Sequence, residues 1–360
     1  MNSTGISLEQ QPLVSICIPV YNAEKTIAET LRSILGQTYS NMEILVVDNA
    51  STDRTPALLQ EFNDERLKIY RNEVNIGAEG NFSKAVQLAR GEYIALFHAD
   101  DIYLPEMVEK QVAAFREYPS VGAVFTLAYH INSRGEIIGE SHFPIELNNA
   151  EIHSFHDIFE STLKNMNFLM CPSAMVRSNL YKELMPFNVE EFRTSADLDM
   201  WLRILETHPI VILQEKLMNY RFSFDHGSYQ IACLRTERAD FFEVTEYYLS
   251  KNNITVSAET LKKYELAKNL DLSRCAINYL LKNGSLEAKR LFEQTFKADI
   301  FWGVVSQSRC VGAYKAHRVL AVWLFAVISI ILLKMGLGRC LAASMKRFKR
   351  LILKGGLLRK

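Results

Sequence analysis

The sequence lacks the closely spaced cysteine pairs of zinc knuckles and redox motifs. Its six cysteines stand far apart in a chain of 360 residues, and scattered single cysteines are typical of proteins in a reduced compartment. The start, MNSTGISLEQQP, also lacks a basic stretch followed by an apolar one. No export signal is therefore predicted, and we expect the protein to stay in the cytoplasm.

Acidic residues are missing from the C-terminal tail. Lys and Arg total 41, as do Asp and Glu, but residues 315–360 hold 11 basic residues and no acidic one. The preceding 314 residues therefore carry 30 basic residues against 41 acidic ones, a net charge of −11. This separation of charge predicts that the tail has an anionic partner such as a membrane surface.

The tail also contains an apolar stretch, VLAVWLFAVISIILL, at residues 319–333. As a helix it would reach about 22 Å, which is short of the roughly 30 Å hydrocarbon core. Beyond it, Met345, Phe348 and Ile352 recur at helical spacing among basic residues, as in helices that lie in the membrane interface. We expect an anchor that lies on or dips into the cytoplasmic face of the membrane. A true span and a buried core helix are the alternatives.

Four apolar stretches in the first hundred residues each end at a turn or helix signal. They read VSICIPVYN, EILVVDNASTD, LKIYRNEVN and EYIALFHADD, and helical patterns occupy the intervals at 24–35, 55–63 and 81–89. Nearly continuous hydrophobicity is typical of strands covered by helices on both faces. The alternation predicts an α/β fold with a doubly wound, mainly parallel sheet. No Gly-x-Gly-x-x-Gly follows the first stretch, which disfavours a Rossmann oxidoreductase.

Pro19 and eight residues with polar side chains stand where the predicted strands end. In doubly wound sheets, ligands bind outside the carboxyl ends of the strands. We therefore expect these residues to share one rim of the sheet. They are Pro19, Tyr21, Asn22, Asp48, Asn49, Asn72, Asn75, Asp100 and Asp101.

Asp100 and Asp101 place two carboxylates side by side at the end of a buried strand. Adjacent charges are costly in a poorly hydrated site unless a cation compensates for them. Mg²⁺ or Mn²⁺, bound by carboxylates and substrate phosphates, would do so. The alternative is that the pair caps the helix predicted to follow, IYLPEMVEKQV.

Five stretches, in order, resemble the family 2 glycosyltransferases of the GT-A fold. They are VSICIPVYNAEKTI, ILVVDNASTDRT, NIGAEGNFSKAVQLARGEYIALFHADD, MCPSAMVRSNLYKELMPFN and TSADLDMWLRIL, and YRFSFDHGS is similar to the family's closing element. The resemblance covers residues 13 to about 228. It implies a transferase that uses a nucleotide sugar and a divalent ion, Mn²⁺ or Mg²⁺.

The resemblance also implies roles for individual residues. Asp100 matches the metal-binding aspartate, with Asp101 and His226 as further candidate ligands, and His98 stands where the family often has another aspartate. The implied nucleotide-sugar site comprises Pro19, Tyr21, Asn22, Glu24, Asp48, Asn75, Gly77, His98, Ala99 and Asp100. Asp48 is expected to contact the base or ribose, and Gly77 to supply a positive φ in a turn.

Asp197 matches the family's catalytic base, although Ala196 replaces the glutamate that usually precedes it. Asp199 would face away from it on a helix and pair with Arg203 instead. With the metal ion on the donor side and the base on the acceptor side, the expected reaction is a single displacement that inverts the anomeric centre.

The expected organisation has four parts: a polar lead at 1–12, the GT-A catalytic domain at 13–228, a helical extension at 229–314 and the membrane-associating tail at 315–360. A transferase beside a membrane anchor suggests a lipid-linked saccharide acceptor, and no nucleic-acid partner is expected. Because Ala196 and His98 depart from the family pattern, two alternatives stay open: a sugar-nucleotide-binding protein without activity, and a membrane-surface scaffold.

Overall fold

The computed structural model describes residues 11–222, 235–251, 254–281, 286–287 and 290–291. The chain forms two compact units, Met1–Ser223 and Phe224–Lys360. The predicted membrane tail at 315–360 and the candidate ligand His226 lie outside the described residues.

A ten-stranded sheet forms the centre of the first unit. Its strands are β1 (Val14–Val20), β2 (Met42–Asp48), β3 (Leu67–Arg71), β4 (Tyr93–Leu96), β5 (Ile102–Tyr103), β6 (Ala123–Ile131), β7 (Ile137–Glu140), β8 (Ile152–His153), β9 (Met175–Arg177) and β10 (Ile210–Arg221). They follow the order β3-β2-β1-β4-β9-β6-β10-β5, with β7 beside β6 and β8 beside β10.

The strand directions bring most carboxyl ends to one rim. Strands β1, β2, β3 and β4 pair in parallel, as predicted. Strand β9 is antiparallel to both β4 and β6, and β10 is parallel to β6. Since β9 runs opposite to both β4 and β6, strands β4 and β6 run in the same direction. Strands β6 and β10 therefore end at the same rim as β1, β2, β3 and β4.

Helices flank this sheet. They are α1 (Ile27–Leu35), α2 (Thr55–Leu59), α3 (Gly77–Leu88), α4 (Met107–Glu117), α5 (Phe155–Asn165), α6 (Ser178–Leu184), α7 (Val189–Phe192) and α8 (Ala196–Leu205). Three helical stretches were predicted with different bounds: α1 begins three residues later than the predicted start at 24, α2 ends at 59 rather than 63, and α3 begins at 77 rather than 81.

The core lies between the sheet and its helices. Strands β2 and β4 are buried at every residue, as expected for strands covered on both faces. The turn into β4 approaches β1 so closely that a Cβ on Gly91 would lie 2.6 Å from the amide nitrogen of Ser15. Glycine is therefore required where β4 enters the sheet.

The described part of the second unit consists mainly of two helices, Asp240–Ser250 and Ala258–Leu281. Phe242 and Tyr264 pack together in its interior, and Arg235 pairs with Asp271. The sequence predicts helical structure here. Across the described ranges, no helix combines the length and the apolar character that crossing a membrane requires.

Candidate active site

Hydrogen bonds join the loop that follows β1 to the loop that follows β2. The amide of Asn22 donates to Ser51 Oγ at 2.9 Å, and Asn22 Oδ1 accepts from the amide of Thr52 at 2.8 Å. Glu24 Oε2 accepts from the amide of Arg54 at 3.0 Å. Next to this junction, Tyr21 is 49% exposed, so its ring is accessible to a ligand.

Asp48 is buried where β2 ends. Its Oδ1 accepts from the amide of Ser51 at 3.1 Å, while Oδ2 lies 3.5 Å from Nε of Arg71. Oδ2 is buried and has no hydrogen-bond partner among the described residues. A buried carboxylate oxygen without a donor is costly, so this atom is suited to accept an N–H or O–H from a ligand.

An asparagine network shapes the turn into α3. Asn49 Nδ2 donates to Asn75 Oδ1 at 2.8 Å and to the carbonyl of Gly77 at 3.0 Å. The amide of Gly77 donates in turn to Asn75 Oδ1 at 2.9 Å. Gly77 has φ of +80°, which confirms the predicted positive φ. The network fixes this loop beside Asp48.

His98, Asp100 and Asp101 form a cluster after β4, the metal-type cluster. One potential ligand atom from each lies within 4.8 Å of the other two, so the three could hold a metal ion. Asp101 is buried, and its Oδ2 has no hydrogen-bond partner within the described ranges. Nδ1 of His98 lies 3.8 Å from this Oδ2. Carboxylate oxygens of this kind suit a hard divalent cation.

The charged forms of Asp101 and His98 are both disfavoured in this cluster. Burial raises the pKa of Asp101 well above its usual value, and the negative charge of Asp100 raises it further. Burial lowers the pKa of His98, which leaves the imidazole neutral near pH 7 although Asp100 favours its protonation. The positive charge of a bound metal ion would favour the ionised form of these carboxylates.

The alternative that Asp100 and Asp101 cap a helix is wrong. Residues Ile102–Tyr103 form β5, and α4 begins only at Met107, with Glu106 at its N-cap. Strand β5 instead pairs antiparallel with β10, which directs the chain away from the rim.

One face of α1 fixes the main chain of the cluster. Thr26 Oγ1 donates to the carbonyl of Ala99 at 2.9 Å, and Thr30 Oγ1 donates to the carbonyl of Asp101 at 2.8 Å. These hydroxyl groups stand four residues apart and so lie on the same side of the helix. Ala99 thus contributes through its carbonyl, since its side chain is a methyl group.

Arg221, at the end of β10, was not predicted as a site residue. Its amide donates to Asp101 Oδ1 at 2.8 Å, and its Nε donates to the carbonyl of Asp100 at 2.7 Å. The same guanidinium reaches the carbonyl of Asn132 and the carboxylate of Glu29. The contact to Asp101 joins residues 120 positions apart, and no local pattern in the sequence indicates it.

Asp197 is the second residue of α8. Its Oδ1 accepts from the amide of Leu198 at 2.8 Å, and burial raises its pKa to about 6. A carboxylate of this kind is ionised at neutral pH yet more basic than an ordinary aspartate. Asp199 pairs with Arg203 at 2.9 Å, as predicted.

Burial and nearby carboxylates affect the pKa values of Tyr220 and Cys171. Burial raises the pKa of the Tyr220 hydroxyl, and the charges of Asp101, Asp100 and Asp197 raise it further. Burial likewise raises the pKa of the Cys171 thiol, followed by the charges of Asp197 and Asp101. Asp101 and Asp197 thus influence the same two side chains, those of Tyr220 and Cys171. Both residues fall in stretches that resemble the family, but neither was predicted as a site residue.

Comparison with known proteins defines the class. The profile described as Glycosyl transferase family 2 matches residues 15–185. The chain is 32% identical over 198 residues to the Escherichia coli UDP-Glc:alpha-D-GlcNAc-diphosphoundecaprenol beta-1,3-glucosyltransferase WfgD, covering 55% of this chain and 72% of that protein. This protein belongs to family 2 of the glycosyltransferases, as the resemblance predicts.

Two crystal structures share the fold. The Staphylococcus aureus TarS fragment 1–349, in complex with UDP-GlcNAc, matches with a TM-score of 0.54 and 19% identity, over 93% of this chain and 91% of that one. The mannosyltransferase PcManGT from Pyrobaculum calidifontis, in complex with GDP-Man and Mn²⁺, matches with a TM-score of 0.52 and 16% identity, over 94% and 87% of the chains. The predicted GT-A fold is confirmed, with a mainly parallel sheet flanked by helices.

Proposed function

We propose that this glycosyltransferase is inverting and metal-dependent, and that it moves a sugar from a UDP-sugar to a hydroxyl of a lipid-linked saccharide. The observation that carries the proposal is the cluster of His98, Asp100 and Asp101, whose potential ligand atoms lie within 4.8 Å of one another. Asp197, whose pKa burial raises to about 6, supports the proposal as a candidate base. A cation-binding cluster and a basic carboxylate suit the two halves of a displacement at an anomeric carbon.

Asp100 would hold the divalent ion, Mn²⁺ or Mg²⁺, with Asp101 and His226 as further candidate ligands and His98 directed to the ribose or diphosphate. When bound, the ion supplies positive charge that neutralises the diphosphate of the donor and of the departing nucleotide. The buried Oδ2 of Asp101, which lacks a hydrogen-bond partner among the described residues, supports this assignment. The mannosyltransferase from Pyrobaculum calidifontis, which has the same fold, is in complex with GDP-Man and Mn²⁺.

The nucleotide would lie along the ends of β1, β2 and β3. Asp48 Oδ2 is placed to accept a hydrogen bond from a base N–H or a ribose hydroxyl, and the exposed ring of Tyr21 can pack against the base. The remaining residues assigned to the nucleotide sugar are Pro19, Asn22, Glu24, Asn75, Gly77 and Ala99. We assign uridine because the E. coli relative uses UDP-Glc by its name.

Asp197 would remove the proton from the acceptor hydroxyl as that oxygen attacks the anomeric carbon. A single attack from the face opposite the leaving diphosphate inverts the configuration. Because burial raises the pKa of Asp197 to about 6, the carboxylate is ionised at pH 7 and remains a stronger base than an exposed aspartate.

A lipid-linked acceptor is the part of the proposal that involves the membrane. The E. coli relative acts on a diphosphoundecaprenol-linked GlcNAc by its name. We assign residues 13–228 to catalysis, 229–314 to a helical extension, and the basic tail at 315–360 to peripheral attachment at the cytoplasmic face of the membrane. The basic residues of that tail would bind anionic lipid at about 1 kcal/mol each when well placed.

The test is product formation. Purified protein is incubated with UDP-sugars, Mn²⁺ and a polyprenyl-diphosphate-linked GlcNAc, and mass spectrometry detects the extended glycolipid. We expect a product with wild type and with the control Asp64→Asn, which alters a carboxylate paired with Arg66, and none with Asp100→Ala. Binding of UDP-sugar without any product would favour an inactive sugar-nucleotide-binding protein. A scaffold would instead lose its function on deletion of residues 315–360 and tolerate Asp100→Ala.

A further inference from the structure

Three aromatic side chains meet where β6 and β10 end. The ring centroids of His130 and Phe222 are 4.9 Å apart, those of Tyr220 and Phe222 are 5.1 Å apart, and those of His130 and Tyr220 are 6.4 Å apart. All three pairs are edge-on. Phe222 is 36% exposed, so one ring of this aromatic corner, defined as His130, Tyr220 and Phe222, is open to solvent.

The aromatic corner lies on the rim that carries the site, but on the half of the sheet away from Asp48. Strands β6 and β10 run parallel to each other and end at the same rim as β4, which precedes the metal-type cluster. Between Tyr220 and Phe222, the side chain of Arg221 is turned to the carbonyl of Asp100. Because side chains alternate along a strand, the two rings share the other face.

The aromatic corner adjoins the metal-type cluster. Arg221, the residue between Tyr220 and Phe222, donates its amide to Asp101 Oδ1 at 2.8 Å and its Nε to the carbonyl of Asp100 at 2.7 Å. Under the proposed function, an acceptor that approaches a donor sugar held at this cluster would have its ring close to Tyr220.

Polar groups border the rings. Ser141 Oγ lies 3.3 Å from Nε2 of His130 and 3.6 Å from the sulfur of Met170. Burial and the neighbouring charge of His142 lower the pKa of His130, so its neutral ring can donate at one nitrogen and accept at the other. Apolar ring faces beside such groups match a pyranose, which has C–H groups on its faces and hydroxyls around its edge.

We propose that the aromatic corner binds the terminal pyranose ring of the acceptor and orients its hydroxyl toward Asp197. This inference rests on the proposed function and names the acceptor's contact surface. A nucleobase is the weaker occupant because the buried acceptor oxygen suited to a base N–H belongs to Asp48, at the end of β2. A lipid chain is also weaker, since it offers no polar group to His130 and Ser141.

The test uses Phe222→Leu, which keeps an apolar side chain but removes the ring, and Phe222→Tyr, which keeps the ring. The control is Phe62→Leu, which removes a partly buried ring after α2. Binding of methyl pyranosides of glucose, galactose and N-acetylglucosamine is measured by saturation-transfer NMR in the presence of UDP and Mn²⁺. With an acceptor that is turned over, acceptor and donor KM are measured as well.

We expect at least one pyranoside to bind wild type, Phe222→Tyr and Phe62→Leu. In Phe222→Leu, binding should weaken about two- to tenfold, since aromatic contacts contribute about 0.5–1.5 kcal/mol beyond area burial. Acceptor KM should rise by a similar factor, with donor KM unchanged. Absence of pyranoside binding to wild type, or equal binding by Phe222→Leu, overturns the inference. Pyranoside binding without glycoside formation would refute the proposed transfer but support the pyranose site. Glycoside formation with an unchanged acceptor KM in Phe222→Leu would support transfer but refute the pyranose site.

Discussion

Nε of Arg221 donates a hydrogen bond to the main-chain carbonyl of Asp100 over 2.7 Å. The main chain of the same arginine holds the carboxylate of Asp101, and its guanidinium also contacts Glu29 on α1. One buried side chain therefore fixes the backbone of the proposed metal ligand from strand β10. Arg221 acts as a positioning residue.

The first prediction concerns Arg221→Lys. Lysine keeps the charge but lacks the planar fork that contacts several acceptors at once, so the backbone of Asp100 becomes less well held. We expect the Mn²⁺ concentration for half-maximal transfer to rise about 10–100-fold, the range for residues that orient metal ligands. The control is Arg177→Lys, because Arg177 also donates to main-chain carbonyls, those of Val121 and Pro119. An unchanged Mn²⁺ dependence in Arg221→Lys contradicts the positioning role.

The second prediction concerns turnover in Asp197→Asn. The amide cannot accept the proton of the acceptor hydroxyl, so kcat should fall about a hundredfold or more, while Mn²⁺-dependent donor binding is kept. In wild type, kcat/KM should fall about tenfold per pH unit below the pKa of about 6, where Asp197 becomes protonated. Steady-state kinetics between pH 5 and 8 measure both effects. A rate that does not change across this interval would show that another group acts as the base.

The third prediction concerns the stability of the same variant. Burial raises the pKa of Asp197 from 3.8 to about 6, so the folded state binds the proton more tightly than the unfolded state. Stability is therefore lost as pH rises from about 4 to 6, and the cost is complete above pH 6. Asp197→Asn removes this cost, and its free energy of unfolding should exceed that of wild type by about 1–3 kcal/mol at pH 8. Urea denaturation should show the gain shrinking toward pH 4. A gain of equal size at both pH values would point to a cause other than the charge.

The fourth prediction concerns Asp48→Asn. The substitution replaces the negatively charged carboxylate of Asp48 with a neutral amide. A ligand N–H would then lose its hydrogen bond to a charged acceptor. We expect the dissociation constant of UDP with Mn²⁺ to rise about 10–100-fold, as for loss of a hydrogen bond to a charged group. Calorimetry measures this change, and Asp64→Asn serves as the control. Wild-type affinity in Asp48→Asn would remove Asp48 from the nucleotide site.

The sequence predicts the parts of the fold that depend on local pattern. Strands β1 and β2 are nearly continuous apolar stretches, the pairing of Asp199 with Arg203 follows from helical spacing, and Gly77 follows from turn chemistry. Such features are decided by residues within a few positions of one another, so they can be derived without knowing the tertiary structure.

The start of α1 depends on contacts that no local pattern contains. The stretch from residue 24 looks helical, but the amide of Ala23 donates to Thr55 Oγ1 at 2.8 Å, and Glu24 accepts from the amide of Arg54. These distant partners hold the chain in a loop until Ile27. Arg221 was not predicted for the same reason. Its contacts with Asp100 and Asp101 form only when the fold places β10 beside the cluster.

The most direct test of the central claim, that Asp100 holds a divalent ion which carries the phosphates of a nucleotide, is thermal unfolding with UDP. At about 100 times its dissociation constant, a ligand stabilises the folded state by about 2.7 kcal/mol, which should raise the Tm by about 5 °C or more. We predict this rise for wild type with Mn²⁺, and its loss both on chelation with EDTA and in Asp100→Asn. A rise of equal size with EDTA, or in Asp100→Asn with Mn²⁺, would contradict the account.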